Sequence, residues 1–112
     1  MAGFEIEMTY SIEFIPEAVS DYKSLDGSVK KKVNKKLEEL SKKPFLGEYL
    51  GNKFNIDLTG FYKLYVDNKK IRIVYRLLGE EIEIIEVWGI GKRDKEEIYR
   101  LIGHRLKKKK QY

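Results

Sequence analysis

The chain changes its hydrophobic period near the middle. Met8 to Ile15 alternates, with Tyr10, Ile12 and Phe14 on one side and Ser11 and Glu13 on the other, which is the period of a strand. Pro16 then suits the first turn of a helix, and Ala18, Tyr22 and Leu25 follow at helical spacing. Asp26-Gly27 predicts a turn, and Ser28 can cap a second helix whose apolar stripe is Val29, Val33, Leu37 and Leu40. Pro44 ends that helix. The two segments predict a helical hairpin.

The second half returns to strand period. Gly60 to Val66 is aromatic and β-branched, and Asp67-Asn68 follows as a turn. Ile71, Ile73, Tyr75 and Leu77 then alternate with Arg72, Val74 and Arg76. Gly79 makes the next turn, and Glu81 to Trp88 predicts another strand. Gly89 and Gly91 loosen the chain, Asp94 can cap a last helix, and Ile98, Leu101, Ile102 and Arg105 lie at helical spacing there. The expected order is β-α-α-β-β-β-α. This is an α+β fold, a small antiparallel sheet with the helical hairpin on one face and a C-terminal helix.

At 112 residues the chain has the length of one domain. Residues 1–7 are expected to be an extension, residues 8–106 the domain, and residues 107–112 a solvated basic tail. The 23 Lys and Arg against 18 Asp and Glu give a net charge of +5. Without Lys107 to Lys110, 19 basic side chains face 18 acidic ones, so the body is close to neutral and any basic site must be local. The absence of cysteine excludes disulfides, thiol chemistry and cysteine–zinc sites, and it fits a reducing compartment such as the cytoplasm. One histidine, His104, cannot supply an imidazole pair for acid and base. No apolar run reaches the roughly 20 residues of a membrane span, and residues 1–7 lack the form of a secretory signal. Nothing in the sequence asks for a metal or a cofactor.

Three features can carry chemistry. Arg72 and Arg76 share a strand face with Val74 between them, which suits a solvated polar face or a cationic platform for phosphate. Gly91-Lys92-Arg93-Asp94 lies between a strand and a helix, where backbone N–H groups and two cations can meet an anion, though a charged turn looks the same. Tyr62-Lys63-Leu64-Tyr65 puts Lys63 and Tyr65 on one face, where Lys63 can stabilise a phosphoryl group or simply guard an edge. Tyr99 stands at helical spacing with Ile102 and Leu106, as a core residue or a surface for a base.

In this order and at these intervals, the features resemble the RelE/ParE superfamily of toxin–antitoxin toxins over Met8 to Arg105. The resemblance rests on the opening strand with Phe14, Ala18 and Leu25, the lysine-rich helix before Pro44, and Leu50-Gly51. It continues through Tyr62-Lys63-Leu64, Ile71-Arg72-Ile73-Val74-Tyr75, and Val87 followed by Gly91-Lys92-Arg93 and Tyr99. The set Lys63, Arg72, Arg93 and Tyr99 looks like the RelE branch. That branch implies a metal-independent endoribonuclease that cuts messenger RNA in the ribosomal A site by attack of the 2′-OH on its own phosphate.

The resemblance implies a role for each position. Arg72 would stabilise the transition-state charge, Arg93 would stabilise or protonate the leaving 5′-oxygen, and Lys63 would stabilise the phosphate or assist the base, with a lysine pKa lowered by clustered cations. Tyr99 would stack on the nucleotide. Lys92, Arg76, Lys30 and Lys31 would contact RNA. Tyr65 stands where a second lysine can serve the family as base, so Tyr65 is an alternative base or substrate contact. The implied partners are a cognate acidic antitoxin, the ribosome and messenger RNA. A ParE-like inhibitor of DNA gyrase, or a toxin fold that only binds, would share the scaffold.

Overall fold

The computed structural model describes residues 10–81, 83–92 and 97–110. The extension at residues 1–7, the strand start at Met8 and the cap at Asp94 lie outside the described residues, as does Arg93.

The chain runs β1 (Ser11–Phe14), α1 (Pro16–Lys23), α2 (Gly27–Lys42), β2 (Glu48–Lys53), β3 (Ile56–Val66), β4 (Ile71–Leu78), β5 (Ile84–Lys92) and α3 (Glu97–Lys110). Among the described residues the strands form one sheet in the order β1-β5-β4-β3-β2. β2 to β5 are antiparallel, and β1 lies parallel to β5. The expected antiparallel sheet is present, and β1 adds one parallel strand at its edge. The long excursion through two helices and three strands carries the chain back beside β1 in the same direction, which a tight turn could not do.

β2 is a correction, because Glu48 to Lys53 has no alternation and carries Gly51 and Asn52. Pairing with β3 imposes its strand form, with a register shift between Tyr49 and Gly51 and a φ of 63° at Gly51. A second correction concerns Gly89 and Gly91, which lie inside β5. A Cβ on Gly89 would stand 2.7 Å from Ile102 and 3.2 Å from Arg105, so the missing side chain lets α3 sit close to the sheet. The α2 cap is Asp26, whose carboxylate accepts from Val29 N–H at 3.1 Å, while Ser28 donates to the same oxygen. The lysine run is also corrected. α3 continues through it to Lys110, and Lys109 pairs with Glu17 of α1 at 3.2 Å.

Strand register separates the two faces. Lys63 pairs with Val74 and Val74 with Gly89, while Tyr65 pairs with Arg72 and Arg72 with Gly91, so these residues share one face. α3 covers that face with Ile98 and Ile102, both buried. The opposite face carries Leu64, Ile73, Tyr75 and Val87, and α2 adds Val33, Leu37 and Leu40 to the core. The Tyr75 hydroxyl donates to the Pro44 carbonyl at 2.9 Å and accepts from Gly47 N–H at 2.9 Å, which ties the segment after α2 to the sheet.

α1 closes the end of β5 that β1 does not reach. Asp21 accepts from Ile90 N–H at 3.1 Å and takes two bonds from Arg105, at 2.8 and 2.9 Å. Arg105 also donates to the Trp88 carbonyl at 2.8 Å. One buried charge pair therefore joins α1, β5 and α3. Bidentate geometry and the extra backbone bonds offset the cost of burying both ions.

Candidate active site

The site lies where β3, β4 and the start of α3 meet. Arg72 is central and only 7% exposed. Its guanidinium carbon lies 5.0 Å from the Tyr99 ring centre and 5.5 Å from that of Tyr65. Its Nε and Nη1 are buried and have no hydrogen-bond partner. Ring faces attract a cation, but they do not satisfy its N–H groups. A buried guanidinium with two unspent donors is therefore ready for an anion with acceptor oxygens.

Lys63 stands two residues before Tyr65 on β3, so alternation sends both to the same face. The Lys63 ammonium donates to the Tyr65 hydroxyl at 3.0 Å and lies 5.0 Å from the ring centre. Across the strand pair, Glu48 of β2 reaches Lys63 at 3.6 Å. Burial pushes the Lys63 ammonium down, but the Tyr65 hydrogen bond, the Tyr99 and Tyr65 phenols and the Glu48 carboxylate outweigh it. The net pKa is raised. This overturns the expected lowering of a lysine pKa by clustered cations: Lys63 has acceptors beside it, and it stays protonated.

Lys63, Tyr65, Arg72 and Tyr99 thus come together. Other expected contacts do not join them. Arg76 shares the face but is held by Glu86 at 2.7 Å and stacked on Trp88 at 4.7 Å, so its charge is paired. Lys92 pairs with Ile71, one position beyond the Arg72–Gly91 pair, and alternation turns it to the other face. Lys30 and Lys31 lie in the first turns of α2, where Lys30 sits over the Tyr22 ring of α1. Arg93 lies outside the described residues.

Three residues of the cluster were missed by sequence reasoning. Glu48 lies on the strand that lacks alternation. Lys69, in the β3–β4 turn, places its ammonium 5.7 Å from the Tyr65 ring centre. Phe54, in the β2–β3 turn, stacks on Tyr99 at 6.0 Å and 29°. A cation directly after Asp67-Asn68 was a usable signal for Lys69, whereas nothing in the sequence points to Phe54. His104 lies on α3 and lines a groove of about 390 Å³ with Asn55, Asp57 and Arg100. Among the described residues no three His, Asp or Glu side chains converge on a metal position.

A five-stranded, mostly antiparallel sheet with a basic and aromatic cluster beneath a C-terminal helix is the architecture of a RelE/ParE superfamily toxin. The family model of the ParE toxin of the type II toxin–antitoxin system parDE matches residues 12–97. The chain belongs to this family of toxins, and within the superfamily it stands close to RelE. It is 27% identical over 92 residues to the mRNA interferase toxin RelE of Escherichia coli K12, covering 82% of this chain and 92% of that one. The free E. coli RelE toxin, solved as a double arginine-to-alanine mutant, matches with a TM-score of 0.70 and 24% identity over 88% of this chain and 99% of that one. The toxin of the intact E. coli RelBE toxin–antitoxin complex matches with a TM-score of 0.63 and 23% identity over 77% of this chain and 99% of that one.

Proposed function

We propose that this toxin is a ribosome-dependent endoribonuclease that cuts messenger RNA in the A site without a metal. The observation that carries the reading is Arg72, buried between two tyrosine rings with Nε and Nη1 unpartnered. The likeness to an mRNA interferase supports it. In the reaction the 2′-oxygen bonds to the adjacent phosphorus and the bond from phosphorus to the 5′-oxygen breaks. The products are a 2′,3′-cyclic phosphate and a 5′-OH.

Arg72 donates to the phosphate oxygens as charge builds on them. Lys63, held protonated, adds a second positive charge. Arg93 stabilises the charge on the leaving 5′-oxygen, which takes a proton from solvent to become the 5′-OH, and Tyr99 orients the nucleotide. The proton of the 2′-OH needs an acceptor, which a protonated Lys63 is not. Glu48 fills this role better than Tyr65, because its carboxylate is on the same face and 70% exposed, whereas the Tyr65 hydroxyl already accepts from Lys63. The ribosome aligns the RNA, which supplies much of the rate. An acidic antitoxin holds the toxin inactive in the cytoplasm; the likeness to the toxin of a solved toxin–antitoxin complex supports an antitoxin partner.

The test is expression in translating cells with mapping of messenger ends. Cuts within A-site codons are expected from the wild type and are lost in Arg72→Ala. The match to the ParE family model favours one second reading, inhibition of DNA gyrase. That reading predicts trapped gyrase–DNA complexes with messengers intact.

A further inference from the structure

We infer that Phe54 is a positioning residue that sets Arg72 through Tyr99, an assignment that rests on the nuclease reading of the site. Phe54 and Asn55 form the two-residue turn between Lys53 and Ile56, and both have positive φ, 52° and 62°. This is the turn that favours Asn-Gly, because both central residues adopt the left-handed region. A phenylalanine there is a steric outlier. Strain of this kind persists where the surroundings or the function demand it.

The position of the ring says what the strain achieves. Phe54 stacks on Tyr99, whose ring centre also lies 5.0 Å from the Arg72 guanidinium carbon, and that carbon lies 5.5 Å from the Tyr65 ring centre. Phe54 is 47% exposed, so the ring gains little from burial. Arg72 has no hydrogen bond at Nε or Nη1, so ring contacts are what fix its plane at those atoms. Tyr99 is the nearer of the two rings that contact the guanidinium, so what holds Tyr99 helps to set Arg72. Ile56 anchors the turn beside α3, since a Cβ on Gly103 would stand only 2.8 Å from it.

This predicts opposite effects on folding and cleavage. Phe54→Asn puts a residue that tolerates positive φ into the turn and removes the ring. The expected result is an equal or higher midpoint of thermal unfolding, at least a tenfold fall in single-turnover cleavage on programmed ribosomes, and a displaced Arg72 Nε–H resonance. Phe54→Tyr restores the ring and should return cleavage to within about threefold. Two results overturn the inference: cleavage and resonance unmoved in Phe54→Asn, or a loss of cleavage that only tracks a loss of folding. If the wild type does not cut messenger, the nuclease reading fails, and the Arg72 resonance still decides whether Phe54 positions it.

Discussion

Arg72 faces Tyr99 across 5.0 Å, and the contact leaves the arginine's Nε and Nη1 without hydrogen bonds. A buried donor without an acceptor costs the fold about 1–3 kcal/mol. Arg72→Met should therefore hold or raise stability, by about 1 kcal/mol, while cleavage falls on the order of 10²–10³-fold. Urea titration paired with a cleavage assay checks this. A parallel loss of both would show that Arg72 is structural.

Glu48 is the proposed acceptor of the 2′-OH proton. Glu48→Gln keeps its shape and removes the base, so cleavage should drop on the order of 10²-fold or more with the fold intact. Single-turnover cleavage by the folded variant checks this, and cleavage unchanged in Glu48→Gln would show that the base is another group.

Tyr75 makes the alkaline side of stability predictable. Burial raises its hydroxyl from 10.0 to about 12, against the weaker pull of the Gly47 N–H bond. The folded state thus keeps a proton that the unfolded state gives up first. The associated stability is complete below pH 10 and fades as pH rises toward 12, by about 3 kcal/mol in all. Tyr75→Phe should lose about 1–3 kcal/mol at pH 7, by orphaning Gly47 N–H and the Pro44 carbonyl. It should also flatten the decline above pH 10. Denaturant unfolding at a series of pH values measures both.

Asp21 and Arg105 hold α3 against the sheet. Asp21→Ala leaves a buried guanidinium unpaired and should cost about 3–5 kcal/mol. Because the pair joins α3 to α1 and β5, amide hydrogen exchange should quicken first in α3.

Much of this architecture was legible because local signals agreed with tertiary ones. Pro16 opens α1, Pro44 follows α2, and the alternation of Ile71 to Leu77 is β4. β2 was not legible, since Glu48 to Lys53 becomes a strand only through its partner. The parallel placement of β1 depends on a crossover that no local pattern reveals. The site was half legible for the same reason. Strand parity put Lys63 with Tyr65, and Arg72 with Arg76, but parity cannot see that Glu86 neutralises Arg76, and the strand expected to end at Trp88 stopped short of Lys92. Glu48, Lys69 and Phe54 reach the cluster from turns and an irregular strand, where side-chain direction follows from the fold alone.

The central claim is that Arg72 is a phosphate-binding donor in a messenger-cutting site. The most direct measurement is the cleavage of messenger on programmed ribosomes by purified toxin, wild type against Arg72→Ala, with the ends mapped to the nucleotide. The account predicts A-site cuts that leave a 2′,3′-cyclic phosphate and a 5′-OH with the wild type, and a loss on the order of 10²-fold or more in the variant. Intact messenger with the wild type, or equal cutting by a folded Arg72→Ala, would contradict it.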